Sequence, residues 1–267
     1  MTICLGILTS DGVVIAADTE ESYGVMKVHQ PKIMTFDNAA GACAIAGAGD
    51  ADYIDALSIQ LGEVFVRQPR ASDQAVLSNV RKQLWTFYRD HVIPFASYPE
   101  GDRPSMTLLM GLRRRGVPAL FVTGRSTLRP CKRFQAIGAG ESLAKTLFLR
   151  LAGGRLDVRA AQILAVYILF AVKDSIDGCG KHSQVFTLHA ESAPSALTQL
   201  TVQEINDLEN LFRLWYAPSA RAHWWEFVGQ FVRMSGPTIE TLTTPSADPK
   251  KASKAAPLIH RDPTHGR

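Results

Sequence analysis

A threonine stands second in the chain, directly after the initiator methionine. Aminopeptidases remove methionine before side chains this small, so Thr2 is expected to carry a free α-amine in the working protein. Such a residue holds nucleophile and base together: the hydroxyl attacks a carbonyl, and the amine takes its proton directly or through a water. An α-amine, with a pKa of about 7.7–8.0, suits general-base work near neutrality. Asp18 ends the apolar run Val13-Val14-Ile15-Ala16-Ala17, and burying a carboxylate there without a partner is costly. It reads either as a turn residue or cap, or as a carboxylate that holds a cation near the nucleophile. Lys32 opens the next apolar stretch. Alone it is a solvated strand-start lysine; beside Thr2 it would lower the hydroxyl and amine pKa values electrostatically, with Asp18 keeping it charged and oriented. Ala46-Gly47-Ala48-Gly49-Asp50 joins a strand to a helix. It is either a tight turn or a set of N–H donors for a developing oxyanion, because glycines permit close backbone approach. Ile45 just before it is expected to floor a pocket for medium apolar side chains.

The elements that must position these residues are legible from periodicity. Ile3 to Leu8 and Val13 to Ala17 flank Ser10-Asp11-Gly12 and read as a β-hairpin. Thr2 begins one strand and Asp18 ends its antiparallel neighbour, so the hairpin sets them side by side. Lys32 to Phe36 and Ala42 to Ala46 read as a second strand pair. Helices are predicted over Asp50–Arg67 and Ser72–Val92 from apolar residues at i, i+3, i+4 spacing, with Ser72 as N-cap. Strands return at Ser105–Leu112, Ala119–Thr123 and Phe134–Ile137, and the run Arg113-Arg114-Arg115 between the first two reads as a solvated loop. Helices follow at Glu141–Leu151 and Val158–Asp174, the second apolar around its circumference and so buried between layers, and Gln184–Leu188 closes the order. Strand runs alternating with helix pairs predict stacked layers, two sheets face to face with a helix pair outside each. Beyond this core, Thr201-Val202-Gln203-Glu204 is a capping box opening a helix to about Tyr216, and His223–Met234 reads as a Trp-rich helix. The expected division is a core domain over 1–193, appended helices over 194–236, and a disordered basic tail over 237–267.

Composition narrows the class. The 267 residues are 46% hydrophobic and 20% charged, values of a globular chain, with a formal net charge of +4. No basic stripe with interleaved aromatics accompanies that charge, so a nucleic-acid partner is not expected. The four cysteines, Cys4, Cys43, Cys131 and Cys179, form no metal or redox spacing and read as reduced, packed thiols. The first charge is Asp11 and the longest uninterrupted apolar run is Ile163 to Val172, so neither a secretory signal nor a membrane span is expected, and the protein is expected in the cytoplasm.

Thr2-Ile3-Cys4-Leu5-Gly6-Ile7, Asp11-Gly12-Val13-Val14-Ile15-Ala16-Ala17-Asp18-Thr19, Gly24, Lys32-Ile33 and Ala46-Gly47 together resemble the opening of proteasome β-type subunits and of the bacterial two-component peptidase related to them. Both are N-terminal-nucleophile hydrolases. The resemblance continues more loosely through Arg103-Pro104 and Ala136-Ile137-Gly138-Ala139-Gly140, spanning roughly residues 2–190. It implies an α+β fold, a four-layer αββα sandwich of two antiparallel sheets. It implies Thr2 as nucleophile with its amine as base, Asp18 and Lys32 as the supporting pair, and the Gly47 N–H as oxyanion donor, with no cofactor and no metal. It also implies a threonine endopeptidase acting on peptide or unfolded protein, assembled as a homo-oligomeric ring and served by an ATP-dependent unfoldase. The chain departs from the pattern at Glu20 and Glu21, where an arginine is usual two residues after the aspartate, and at Ala139, where a serine is common. Asp174, Ser175 and Asp177 are the candidates for a later aspartate and serine that complete such a site. These departures motivate two further readings, a catalytically inactive structural subunit and an amidase acting on small amides.

Overall fold

The computed structural model describes residues 2–23, 26–99, 103–190 and 196–215. One antiparallel sheet runs, in spatial order, β10 (Phe134–Gly138), β1 (Ile3–Leu8), β2 (Gly12–Asp18), β11 (Ser183–His189) and β12 (Leu197–Gln199). The other runs β5 (Ile33–Asn38), β6 (Gly41–Gly49), β7 (Met106–Arg114), β8 (Val117–Gly124) and β9 (Thr127–Cys131). A short ribbon, β3 (Glu20–Tyr23) with β4 (Met26–His29), follows β2. Helices α1 (Ala51–Val66) and α2 (Asp73–His91) cover the second sheet, and α3 (Glu141–Leu151) and α4 (Val158–Ser175) the first. This is the α+β, four-layer arrangement expected from the element order, and it is the fold of N-terminal-nucleophile hydrolases.

Side-chain alternation along the strands builds the layers. On β6, Ala42, Ala44 and Ala46 join Val13, Ile15 and Leu109 between the sheets, while Cys43 and Ile45 face the helices with Leu57, Leu61 and Leu84. Between the sheets the packing leaves no room at some positions: a Cβ on Gly111 would lie 2.8 Å from Ile15. Helix α4 is buried along most of its length because it lies between the first sheet, α3 and α5 (Val202–Trp215). Its N-cap Asp157 accepts from the Ala160 amide at 2.7 Å, and Ser72 caps α2. The capping box at Thr201 forms in both directions: Glu204 N donates to Thr201 Oγ1, and Thr201 N to Glu204 Oε2.

Two sequence expectations need correction or enlargement. The arginine run is not a solvated loop throughout. Arg114 is 1% exposed, donates to Asp73 Oδ1 at 2.9 Å and to the Ala71 carbonyl at 2.8 Å, and stacks on Phe65. Its position continues the helix-facing parity of Leu108, Met110 and Leu112 on β7, which carries it under the start of α2. The β3–β4 ribbon, β9 and β12 are additional to the expected strands; they are only three to five residues long, and their sequences lack the apolar alternation that marks a strand. The helix expected at His223–Met234 and the tail from Pro237 lie outside the described residues. No helix among the described residues is long and apolar enough to cross a membrane.

Candidate active site

The β1–β2 hairpin pairs Leu8 with Val13 and Cys4 with Ala17, so the two open ends carry Thr2 and Asp18 together. Thr2 Oγ1 donates to Asp18 Oδ1 at 2.9 Å. Lys32 arrives from the second sheet, one residue before β5, with its backbone N–H anchored on Gln184 Oε1 of β11 at 2.8 Å. Its Nζ donates to Thr2 Oγ1, to Asp18 Oδ1 at 2.8 Å and to the Glu20 carbonyl. The three side chains named from sequence therefore converge on one hydroxyl.

Asp18 is 0% exposed. Burial of a carboxylate is tolerated only when its lone pairs are answered, and here four donors answer it. Oδ1 accepts from Thr2 Oγ1, Lys32 Nζ and the Ile3 amide at 3.1 Å; Oδ2 accepts from the Gly180 amide at 3.0 Å. The next residue ties the same loop to β2. Thr19 N donates to the His182 carbonyl at 2.9 Å, and His182 N donates to Thr19 Oγ1 at 3.0 Å.

Gly47 lies across the cleft from this cluster. Pairing of β5 with β6 ends at Ile33–Ala46, whereas β7 follows β6 on to Gly49. From Gly47 onward, one edge of β6 is free of its β5 partner beside Thr2. A Cβ at Gly47 would lie 2.3 Å from Ile54 of α1, so the residue is small because the helix is close. Its carbonyl accepts from Cys4 Sγ at 3.3 Å, joining the two sheets. Burial pushes the Cys4 thiol up to about 12, so this sulfur stays a protonated donor. On the other side, Gly138 has φ +93°, and a Cβ there would lie 2.2 Å from the Thr2 carbonyl oxygen. Only glycine permits the chain to pass this close to Thr2.

Thr2, Lys32, Gly47, Gly138 and Ala139 are among the residues that line a cleft of about 540 Å3. Its mouth is acidic: Glu21, Asp50, Asp52 and Asp55 line it, and Asp50 is held by the Ser105 amide at 2.7 Å. The Asp55 carboxyl is raised from its ordinary value by partial burial and by the nearby Glu21 and Asp52.

Several expectations change here. Ile45 does not floor the cleft; it is 1% exposed and packs between the second sheet and its helices. Asp174, Ser175 and Asp177 are all exposed, and the loop after α4 reaches the cluster through the Gly180 amide instead. Sequence reasoning missed Gly180 because a backbone donor carries no residue-type signal. Glu20 does not turn into the site. Its carboxylate pairs with Lys27 at 2.8 Å and packs against Gly180, where a Cβ would lie 2.4 Å from Glu20 Oε2, and only its carbonyl meets Lys32. Ala139 lines the cleft with no hydroxyl to offer. No group of three or more His, Cys, Asp or Glu residues among the described residues is arranged to hold a metal ion.

No family model matches the sequence, and no curated protein does. Solved structures do. The chain is similar to an Anbu (Gly-1) mutant from Hyphomicrobium sp. strain MC1, with TM-score 0.67 and 14% identity over 85% of this chain and 99% of that one. Anbu (ancestral beta-subunit) from Yersinia bercovieri gives 0.66 and 14% over 88% and 99%. The helical assembly of the Anbu complex from Pseudomonas aeruginosa gives 0.65 and 17% over 88% and 98%. Identities this low carry the fold alone. They also correct the family drawn from sequence: the neighbours are Anbu proteins, proteasome-like but distinct from the proteasome β-type subunits and the two-component peptidase.

Proposed function

We propose that this chain is an N-terminal-nucleophile hydrolase that cleaves amide bonds with Thr2, its substrate an extended peptide. The observation that carries the reading is the convergence of Lys32 Nζ and Asp18 Oδ1 on Thr2 Oγ1 in an open cleft. The reading requires Thr2 to be the first residue of the working protein. Its hydroxyl then attacks the substrate carbonyl carbon, and the proton passes from Oγ1 to the α-amine. The Lys32 ammonium faces the oxygen as negative charge develops there, and the Gly47 N–H takes the carbonyl oxygen of the tetrahedral intermediate. Collapse breaks the C–N bond, the α-ammonium returns its proton to the departing amine, and an ester to Thr2 remains. Water, deprotonated by the same amine, hydrolyses that ester and restores the hydroxyl. The free edge of β6 beyond Ala46 supports an extended substrate, since a peptide laid there gains main-chain hydrogen bonds. The helical assembly of the Pseudomonas aeruginosa protein supports association of this chain with further copies of itself.

Intact mass with an electrophilic threonine probe, an epoxyketone or a β-lactone, tests the reading. The expected result is a mature protein lacking Met1 that gains one probe mass, with none on Thr2→Ala. Retention of Met1, or equal labelling of both proteins, refutes it and leaves the non-catalytic subunit. Labelling with turnover of small amides but not of peptides leaves the amidase.

A further inference from the structure

A buried ion pair stands behind the site and takes no part in the chemistry above. Lys173, in the last turn of α4, meets Glu209 of α5 with Nζ to Oε1 at 2.6 Å, and their side chains are only 10% and 9% exposed. The same Nζ donates to Ser183 Oγ at 2.8 Å and to the Lys181 carbonyl at 3.3 Å, and Ser183 Oγ donates to Glu209 Oε1 at 3.1 Å. The surroundings would favour apolar residues: Phe212 of α5 packs on Tyr167 and Phe170 of α4 one turn away. Desolvating two charges in such a contact is expensive, and a well-packed apolar pair is often as stable or more so. The network needs a reason other than holding α5 down.

Its position supplies one. Lys181 and Ser183 bracket the end of the loop that joins α4 to β11, and Ser183 is the register partner of Asp18. One side of that loop is held by Lys173 and Glu209. The other side gives the Gly180 amide to Asp18 Oδ2 and clamps His182 on Thr19. Gly178 and Lys181 both have positive φ, +81° and +59°, so this loop is bent sharply and its amide direction depends on what holds its ends. We propose that the Lys173–Glu209–Ser183 network is a positioning device: α5, docked from outside the sandwich, fixes residues 176–182 so that the Gly180 amide meets Asp18. Where other residue types were expected to complete the site, this chain uses a backbone donor and secures it through a helix beyond the core. The effect on Thr2 rests on the hydrolase reading; the holding of the loop does not.

The test uses the full chain in two arms. In the first, amide hydrogen exchange is followed in wild type, Glu209→Ala, Glu209→Gln and Ser183→Ala. Exchange in a peptide covering 176–183 is expected to rise about tenfold in Glu209→Ala, the loss of hydrogen bonds to a charged partner, with β6 and α1 unchanged. Glu209→Gln, which keeps the acceptor oxygen, is expected to recover most of the protection. In the second arm the epoxyketone probe is titrated: the maximal rate of Thr2 acylation falls by a similar factor in Glu209→Ala while the half-saturating probe concentration stays the same. Loop exchange within twofold of wild type in both Glu209→Ala and Ser183→Ala overturns the proposal, and so does equal acylation despite a loosened loop. If Glu209→Ala does not fold, Ser183→Ala and Glu209→Gln decide the first arm. A wild-type protein that is not acylated at all removes the hydrolase reading alone, and the exchange arm still decides whether the network holds the loop.

Discussion

Replacing Asp18 by asparagine alters one atom and one charge at a point where four donors meet. If the amide oxygen takes the place of Oδ1, it can still accept from Thr2, Ile3 and Lys32, but the amide nitrogen then faces the Gly180 N–H, donor against donor. The opposite orientation leaves three donors without their acceptor instead of one. Either way Lys32, its side chain 11% exposed, keeps a buried ammonium with no counter-charge on Asp18. Breaking a buried pair from one side costs about 3–5 kcal/mol; for a domain of this size that lowers Tm by about 6–20 °C. Asp18→Asn/Lys32→Met removes the stranded charge, so the double variant is expected to be more stable than Asp18→Asn alone, with a coupling energy of roughly 2–3 kcal/mol. Urea unfolding at matched protein concentrations measures this, matching being needed because association would add its own stabilisation. Two results together refute the reasoning: a loss below about 1 kcal/mol for Asp18→Asn, and additive effects in the double variant. The pair would then behave as a solvated surface ion pair.

Three further outcomes follow from the same structure. Among the described residues lining the cleft, Glu21, Asp50, Asp52 and Asp55 outnumber the one cationic side chain, Lys32, while the Glu20 carboxylate is taken by Lys27. Peptide reporters with lysine or arginine next to the scissile bond are therefore expected to outperform those with glutamate, and the preference should shrink with added salt and in Asp52→Asn/Asp55→Asn; an acidic preference contradicts this. Because the folded state raises the Asp55 pKa, its contribution to stability is present below the ordinary value of 3.8 and lost as pH rises through the folded value. Asp55→Asn should accordingly raise Tm at pH 7 and lose that advantage on acidification, and a constant offset across pH would be the contrary result. Burial holds Cys4 and Cys43 up to about 12 against an ordinary 9.0. The unfolded thiols ionise first, so stability falls above pH 9.0, by about 1.4 kcal/mol per thiol per pH unit once they do. The slope of unfolding free energy between pH 9.0 and 11 should be shallower in Cys43→Ala, and equal slopes would refute the assignment.

The legible part of the site was the part governed by local geometry. Asp11-Gly12 fixes a tight hairpin, the hairpin fixes the β1–β2 register, and the register brings Asp18 to Thr2. Lys32 was named by type, although its contact crosses from one sheet to the other and only the layer order predicts that. Ile45 was misplaced although alternation could have placed it: Ala44 and Ala46 lie between the sheets, so Ile45 must face the helices. The same parity, read along Leu108, Met110 and Leu112, would have placed Arg114 under α2 instead of in solvent. Gly180, Lys173 and Glu209 were beyond such reasoning. The first acts through its amide, and the other two meet across 36 positions in sequence.

The energetics of the cluster connect its fold to its chemistry. The Lys32 ammonium is held by oxygens from three successive places, the Thr2 hydroxyl before β1, the Asp18 carboxylate ending β2 and the Glu20 carbonyl opening β3. An ammonium fixed from three directions cannot swing to follow a developing charge, and it does not need to, since the oxygen on which that charge would appear is already one of the three. Electrostatic stabilisation of this kind is effective because the polar groups are oriented during folding rather than during reaction. The turn of the Glu20 side chain toward Lys27 and Gly180 belongs to the same logic. A second carboxylate on Lys32 would compete with Thr2 for its protons, whereas a carbonyl adds an acceptor with no formal charge. The acidic residue that departs from the expected arginine thus leaves the lysine aimed at the hydroxyl.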